Sequence, residues 1–338
     1  MAITFLDSAE HYATGDVLEK WSSVSGTVSP STVKFRTGSA SLKIVFPTGV
    51  VQKNLIGPAL TTVSVGWAAL YEAAQFTNQG GIYSPVFFRE GSNSHCFVRI
   101  QQDGSLNALR NANFGSGDLL GRSAPGLVKR DVWHYYEVVA TISDTVGVLK
   151  VYLDGGLVLD VTLADTRFGG SGVVDNIRLD GAGDYTDDVY IAEAGTVYGD
   201  MGVHLLLPSG AGSNAAWAVT GAASNFQAVD ENPPNDDTDY VSSSTVGQRD
   251  SHAMGNLGGA YTTIRSLQAV FSGRKDDGTA RSVGAVVVSG ATTSDGAGAS
   301  MGDTYAFYVT QYLTDPNTGA AWTNANINLA ECGVKVTA

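Results

Sequence analysis

The sequence predicts an all-β protein with two antiparallel β-sandwich domains in tandem. Apolar and polar residues alternate with a period of two along most of the chain, which is typical of strands with one buried face. Forty-one glycines and nine prolines punctuate these runs, as many short strands joined by tight turns require. The 338 residues exceed what one hydrophobic core usually organises, so we expect two domains.

The first domain is expected over residues 1–198, where strand-like runs are separated by turn residues. Asp103-Gly104 and Asp154-Gly155 are strong hairpin signals, and Pro47 closes the first run because proline lacks a ladder donor. The runs are 39–46, 86–90, 96–100, 133–142, 147–153, 157–161, 174–179 and 187–192. They predict a two-sheet antiparallel sandwich that folds on its own.

The second, smaller domain is expected over residues 201–338, because the pattern resets near 195–202. A fresh strand is predicted at 201–208, and the Gly/Ala/Ser stretch 209–216 is interpreted as a loop. Thr323 is positioned to cap one helical turn. Further strands are predicted at 240–244, 264–272, 283–289, 304–313 and 333–336.

The charge balance excludes some partners. Twenty basic against 33 acidic residues give a net charge of −13, which argues against nucleic acid and anionic membrane surfaces. No apolar run approaches the ~20 residues of a membrane span, and the first residues resemble no secretory signal, so we expect a chain that stays in the cytoplasm until release. Cys96 and Cys332 are too few for a disulfide framework or a metal cluster.

Short motifs in the first half carry a family resemblance. Trp-His-Tyr-Tyr-Glu-Val at 133–138, the Tyr-Leu-Asp-Gly end of the strand at 148–155, and Thr-Asp-Asp-Val-Tyr-Ile at 186–191 resemble the laminin-G/concanavalin-like jelly-roll superfamily. The run 38–43 is similar to that family's opening strand. The resemblance covers residues 1–198 and implies a jelly-roll sandwich there.

The second half resembles the C-terminal module of structural proteins from tailed bacteriophages. The residues that carry this resemblance are 229–244, with Asn-Pro-Pro-Asn-Asp-Asp at their centre, and 314–323. It implies a virion component without cleavage chemistry, assembled in the host cytoplasm and released by lysis. Such modules occur on heads and on tails, so both positions stay open.

Candidate catalytic patterns are incomplete. The G-x-S-x-G pattern at 298–302 needs a later histidine, but the last one is His252. Glycoside hydrolysis needs two carboxylates flanking one bond, and no Glu-x-Asp-x-x-Glu string occurs; the glutamates considered are Glu72, Glu90, Glu137 and Glu193. The sequence therefore predicts no enzyme, and no catalytic, cofactor-binding or metal-binding residue.

Two acidic segments leave an alternative open. Asp175, Asp180, Asp184, Asp187 and Asp188 cluster around two glycines, as oxygen ligands for calcium do, although acidic turns are usually solvated. The proline-stiffened run 230–239 is interpreted as a solvated or docking loop. The histidines show no metal-ligand spacing; they are His11, His95, His134, His204 and His252.

Two functions are carried forward. The first is a non-enzymatic structural protein displayed on a tailed-phage virion, docked on other virion proteins as a homo-oligomer, which we expect to be a trimer. The alternative is a glycan-binding attachment protein that contacts a host surface polysaccharide. A groove lined by aromatic side chains would favour the second, because sugar rings stack on them. The tryptophans that could line such a groove are Trp21, Trp67, Trp133, Trp217 and Trp322.

Overall fold

A computed structural model describes residues 2–45, 47–55, 57, 59–73, 83–113, 116–181 and 184–338. The chain divides into two compact units, one ending at Val203 and one beginning at His204. Strands dominate both units, so the predicted all-β fold class is confirmed. Independent folding of residues 1–198 and 201–338 stays a prediction. No helix among the described residues has the length and apolar character to span a membrane.

The first unit contains fifteen named strands, one 3-10 turn and one short helix in its described residues. In chain order they are β1 (Ile3–Asp7), the 3-10 turn Thr14–Asp16, α1 (Val17–Lys20), β2 (Ser23–Ser25), β3 (Val28–Ser31), β4 (Ser41–Ile44), β5 (Val50–Asn54), β6 (Thr62–Leu70), β7 (Tyr83–Glu90), β8 (Asn93–Ile100), β9 (Leu106–Asn113), β10 (Ser116–Arg122), β11 (Trp133–Thr141), β12 (Gly147–Leu153), β13 (Gly156–Ala164), β14 (Asn176–Asp180) and β15 (Tyr185–Glu193).

These strands form the predicted two-sheet antiparallel sandwich. The eight-stranded sheet has the order β13-β12-β11-β6-β15-β4-β3, with β1 also on β15, and the seven-stranded sheet has the order β10-β9-β8-β7-β14-β5-β2. Lys53 on β5 places its Nζ 4.6 Å from the ring centroid of Phe5 on β1, so Lys53 points between the sheets. Because side chains alternate along a strand, Gln52 points to the outside of the seven-stranded sheet.

The outer face of the eight-stranded sheet is covered by the segment 194–203. Tyr198, Met201 and Val203 pack on a buried cluster that includes Tyr135 and Tyr190. The carboxylate of buried Glu137 accepts the backbone N–H of Tyr198 at 2.6 Å and of Gly199 at 3.0 Å, together with the hydroxyl of Tyr190 at 2.6 Å. Residues 199–203 therefore belong structurally to the first unit.

The second unit contains ten strands, one 3-10 turn and one helix. In chain order they are β16 (Pro208–Ala215), β17 (Ala218–Thr220), the 3-10 turn Asn225–Ala228, β18 (Tyr240–Ser242), β19 (Arg249–Met254), β20 (Leu267–Gly273), β21 (Ser282–Ser289), β22 (Thr292–Asp295), β23 (Ala299–Ser300), β24 (Ala306–Tyr312), α2 (Asn324–Leu329) and β25 (Glu331–Val336).

The core of this unit lies between a sheet and a ribbon. The sheet has the order β16-β19-β25-β21-β22, with β23 also on β21, and β20 pairs with β24 as a separate ribbon. Ala269 and Tyr312 from the ribbon pack against Val287 of the sheet and against Trp322 and Ile327. Thr323 caps α2 as predicted, because its side chain accepts the N–H of Asn326 at 3.1 Å.

The start of the second unit differs from the prediction. Residues 201–207 form no strand, and β16 occupies the Gly/Ala/Ser stretch that was interpreted as a loop. Small residues are needed there because a Cβ at Gly212 would lie 2.2 Å from the carbonyl oxygen of Ser251 on β19. Close approach of two strands, rather than chain flexibility, therefore explains the glycines.

Candidate functional site

The outer face of the seven-stranded sheet carries a row of apolar side chains across four strands, of which only the last, Leu119, is exposed. Phe87 on β7 lies opposite Phe97 on β8, which lies opposite Leu109 on β9, which lies opposite Leu119 on β10. The two phenylalanine rings stack with centroids 5.0 Å apart and an interplanar angle of 13°. On β14, Arg178 lies opposite Phe87 and continues this row.

Polar rows lie on both sides of the apolar row. Arg89 follows Phe87 by two residues on β7, and Arg99 follows Phe97 by two residues on β8. Because side chains alternate along a strand, each arginine points to the same face as its phenylalanine. We call the outward-pointing set on this sheet the arginine face. It consists of Gln52, Phe87, Arg89, Phe97, Arg99, Asn107, Leu109, Leu119, Asn176, Arg178 and Asp180.

The aromatic rings support two of the guanidinium groups. The Cζ atom of Arg99 lies 5.2 Å from the ring centroid of Phe97, and that of Arg178 lies 5.6 Å from the ring of Phe87. Cation–π contacts of this kind fix the planar guanidinium groups against the sheet. Burial lowers the pKa of Arg99, but guanidinium groups remain protonated in proteins. The face thus holds preoriented positive charges in a chain of net charge −13.

The hydrogen-bond partners of Arg89 are uncharged groups. Its Nη1 donates to Oε1 of Gln52 at 2.7 Å, and its Nη2 donates to the carbonyl oxygen of Ser92 at 2.8 Å. Burial, and then the positive charge of Arg178, lowers the pKa of Arg89, and the carboxylate of Asp175 opposes this shift. By contrast, Arg178 forms an ion pair with Asp180 at 2.6 Å. No ion pair involves Arg89 in the part of the chain that the structure describes.

Several buried polar atoms of this face have no hydrogen-bond partner among the described residues. They include Nε of Arg89, Oδ1 of Asn107, Oδ1 of Asn176 and Oδ1 of Asp180. Buried polar atoms are normally paired, and each unpaired one costs about 1–3 kcal/mol. The acceptor oxygens of Asn107, Asn176 and Asp180 are suited to a molecule that carries hydrogen-bond donors.

The clustered aspartates do not meet in a common site. Asp175 accepts the N–H of Gly91 at 2.9 Å, Asp184 accepts that of Glu72 at 2.6 Å, and Asp187 accepts that of Arg36 at 2.8 Å. Gly183, one of the two glycines of the proposed calcium turn, lies outside the described residues. The described residues contain no group of three or more His, Cys, Asp or Glu suited to a metal ion, so the calcium alternative gains no support.

The other candidates serve local structure. Glu90 accepts the N–H of Ser171 at 2.8 Å, and the Lys34–Glu72 pair closes at 2.7 Å. Ser300 of the G-x-S-x-G pattern lies in β23, and the next element is the strand β24 instead of the helix of a nucleophile elbow. Trp21, Trp67 and Trp322 are buried and Trp133 and Trp217 are half-buried, so none is an open stacking platform.

Asp184 gives the first unit a testable pH dependence. Burial raises its pKa to about 6, so the folded state holds a proton that the unfolded chain has already released above pH 4. The free energy of unfolding should therefore fall as the pH rises from 4.5 to 7.5. Asp184→Asn should flatten this slope and leave the variant more stable than the wild type at pH 7.5, by on the order of 2 kcal/mol. Urea titrations at both pH values measure the effect, and an unchanged slope would contradict it.

Comparisons with known proteins give fold-level similarity. No family model matches, and no curated protein matches. Among solved structures, the alginate lyase Aly36B is 11% identical, with a TM-score of 0.40, covering 58% of this chain and 100% of that one. A Trypanosoma rangeli sialidase is 14% identical, with a TM-score of 0.34, and the match covers 54% of this chain and 29% of the sialidase. A tetrameric galectin from the sponge Cinachyrella is 10% identical, with a TM-score of 0.30, and the match covers 43% of this chain and 98% of the galectin.

The prediction that the chain is no enzyme requires correction. An alginate lyase and a sialidase are among the matched structures, so sharing this β-sandwich does not separate the chain from enzymes. The missing Glu-x-Asp-x-x-Glu string excludes one arrangement of carboxylates and no more. At these identities and TM-scores, neither activity nor ligand transfers from the matched proteins to this chain.

Proposed function

We propose that this protein binds polysaccharide through the arginine face. The supporting observation is the set of acceptor oxygens on Asn107, Asn176 and Asp180 that have no partner among the described residues, on a face whose edge strand β10 exposes Leu119. Sugars complement such oxygens because they carry many hydroxyl donors. Ligand sites in general use a few precisely placed polar groups to orient what they bind.

We propose a location for this protein from the resemblance of its second half to phage structural proteins. The chain would be displayed on a tailed-phage virion, docked on other virion proteins as a homo-oligomer, with a trimer as the first choice. A low content of charged residues, 16%, supports burial of further surface between subunits. Host polysaccharide would then be the ligand of an attachment protein. Mass spectrometry of purified particles tests this location, and absence of the chain from them would contradict it.

Asn107→Ala tests the binding site directly. Because Oδ1 of Asn107 has no partner among the described residues, its removal should leave the melting temperature unchanged or slightly raised. If the oxygen serves a bound sugar, affinity for a polysaccharide identified on a glycan array should fall about tenfold, as loss of one well-formed hydrogen bond predicts. With the full chain, differential scanning calorimetry measures the melting temperature and calorimetric titration measures the affinity.

The matched control is Asn214→Ala in the second unit, where the side chain bonds Ser251 at 3.0 Å. This variant should retain wild-type affinity. Equal loss of affinity in both variants would contradict the assignment of the site, as would full affinity in Asn107→Ala. Failure of the full chain to bind any glycan would contradict the proposed function itself.

A further inference from the structure

We infer that a pocket in the second unit binds a single neutral sugar ring. The pocket has a volume of about 200 Å³ and lies where the turn between β21 and β22, the loop 315–318, α2 and the start of β25 meet. This site goes beyond the proposed function, because it uses no residue of the arginine face. Its lining includes Ser289, Asn317, Thr318, Asn326, Leu329 and Glu331.

A buried carboxylate holds the polar wall of the pocket in place. Asp315 is fully buried and accepts the hydroxyl of Thr318 at 3.0 Å and Nδ2 of Asn326 at 2.6 Å. It also accepts the backbone N–H of Asn317 at 2.9 Å. Burial alone would raise the pKa of Asp315, but these hydrogen bonds and one from Ser289 hold it below its usual value. One ionised group therefore fixes four lining residues before any ligand arrives.

Two side chains of the lining keep hydrogen-bonding groups that the described residues do not use. Oδ1 of Asn317 accepts the hydroxyl of Thr292 at 3.1 Å, whereas its Nδ2 donates to no described residue. Oε2 of Glu331 accepts the N–H and the hydroxyl of Ser213, both at 2.8 Å, and the hydroxyl of Ser251 at 2.7 Å. Because all three bonds fall on Oε2, Oε1 is left for a ligand. The pocket thus offers both a donor and an acceptor.

The charges of the lining select a neutral ligand. Glu331 is the one charged residue among the lining residues, so an anion is repelled. A cation would gain from Glu331 but would meet the positive end of the Asn317 amide dipole. Hydroxyl groups donate and accept, so a polyol satisfies Nδ2 of Asn317 and Oε1 of Glu331 together.

The size and the rim of the pocket favour one sugar ring. Pockets for drug-sized ligands enclose roughly 300–1,000 Å³, so a pocket of about 200 Å³ suits a single ring rather than a chain of rings. Leu329 is 80% exposed and gives the C–H groups of such a ring an apolar contact. A sugar combines these C–H groups with the hydroxyls that the polar wall requires.

The test follows the backbone amides of the isotope-labelled full chain by NMR during titration. Methyl glucoside and methyl galactoside are the neutral probes, glucuronate is the anionic probe and glucosamine the cationic one. At least one neutral probe should shift the amide signals of Gly290, Thr318 and Leu329, and should bind about tenfold more tightly than glucuronate. Unchanged signals there with both neutral probes would overturn the inference. Tighter binding of glucosamine than of either neutral probe would overturn it in favour of a cation site.

Variants of the lining assign the contacts. Leu329→Ala should weaken binding of the neutral probe about fivefold, and Asn317→Asp, which replaces the donor by a carboxylate, about tenfold. Glu331→Gln should bring glucuronate close to the neutral probe in affinity, because the repelling charge is gone. The control Val219→Ala truncates a side chain of the same unit that is 37% exposed and lies outside the pocket, so it should change no affinity. Full affinity in folded Leu329→Ala and Asn317→Asp would overturn the inference.

Discussion

Replacing Asp188 with alanine is expected to lower the free energy of unfolding of the first unit by about 3–5 kcal/mol, the cost of breaking a buried ion pair. The side chain of Asp188 is fully buried and pairs with Nη1 of Arg36 at 2.6 Å. It also accepts the hydroxyl of Thr37 and the N–H of Val203, both at 2.6 Å. Loss of this carboxylate leaves the positive charge of Arg36 less well neutralised. It also removes the hydrogen bond to Val203 at the end of the segment 194–203.

The backbone conformation at Asp188 adds to the free-energy cost of the alanine substitution. Asp188 has a φ of +52°, a left-handed conformation in which aspartate and asparagine are far better tolerated than alanine. Asp188→Asn should therefore recover part of the loss. Differential scanning calorimetry measures the shift, with Asp160→Ala as the control because Asp160 forms an exposed pair with Lys150 at 3.3 Å. A loss below about 1 kcal/mol in Asp188→Ala would contradict the role assigned to this carboxylate.

Replacing Trp322 with alanine is expected to destabilise the second unit by about 3–5 kcal/mol. The indole is 3% exposed, packs with Tyr312 and Ile327 in the core, and donates its Nε1–H to the carbonyl oxygen of Tyr312 at 2.8 Å. Truncation therefore leaves both a cavity and an unpaired buried carbonyl. Leu329→Ala is the control on the neighbouring helix α2, since Leu329 is 80% exposed.

The two substitutions together examine domain independence. If residues up to Val203 and from His204 unfold separately, Asp188→Ala should move one calorimetric transition and Trp322→Ala the other. A single transition that both variants shift equally would show one cooperative body. That result would contradict the predicted independence of the two halves.

The alternation of residues predicted the sandwich well, because strand faces in the first unit differ clearly in polarity. The hairpin at Asp103-Gly104 is a case: the turn lies between β8 and β9, and Gly104 has a φ of +75°. Among the strands that were missed are β6 and β19. β6 is buried along almost its whole length, so it lacks the period of two by which half-buried strands are recognised.

The arginine face was not predicted, although a signal for it exists. Phe87-x-Arg89 and Phe97-x-Arg99 repeat the same aromatic-x-arginine spacing, which places both pairs on one side of their strands. The sequence alone does not show that β7 and β8 pair in the register that stacks the two rings. Arg178 is distant in sequence, and its place beside Phe87 depends on the insertion of β14 next to β7.

Hydrogen–deuterium exchange of the full chain with a saturating polysaccharide identified on a glycan array tests the central claim most directly. Ligand on the arginine face should slow exchange in β7, β8 and β14, because it covers the strands that carry Arg89, Arg99 and Arg178. Exchange in β12, on the other sheet, should stay unchanged. Protection confined to the second unit or to β12, with β7, β8 and β14 unaffected, would contradict the assignment of the binding face.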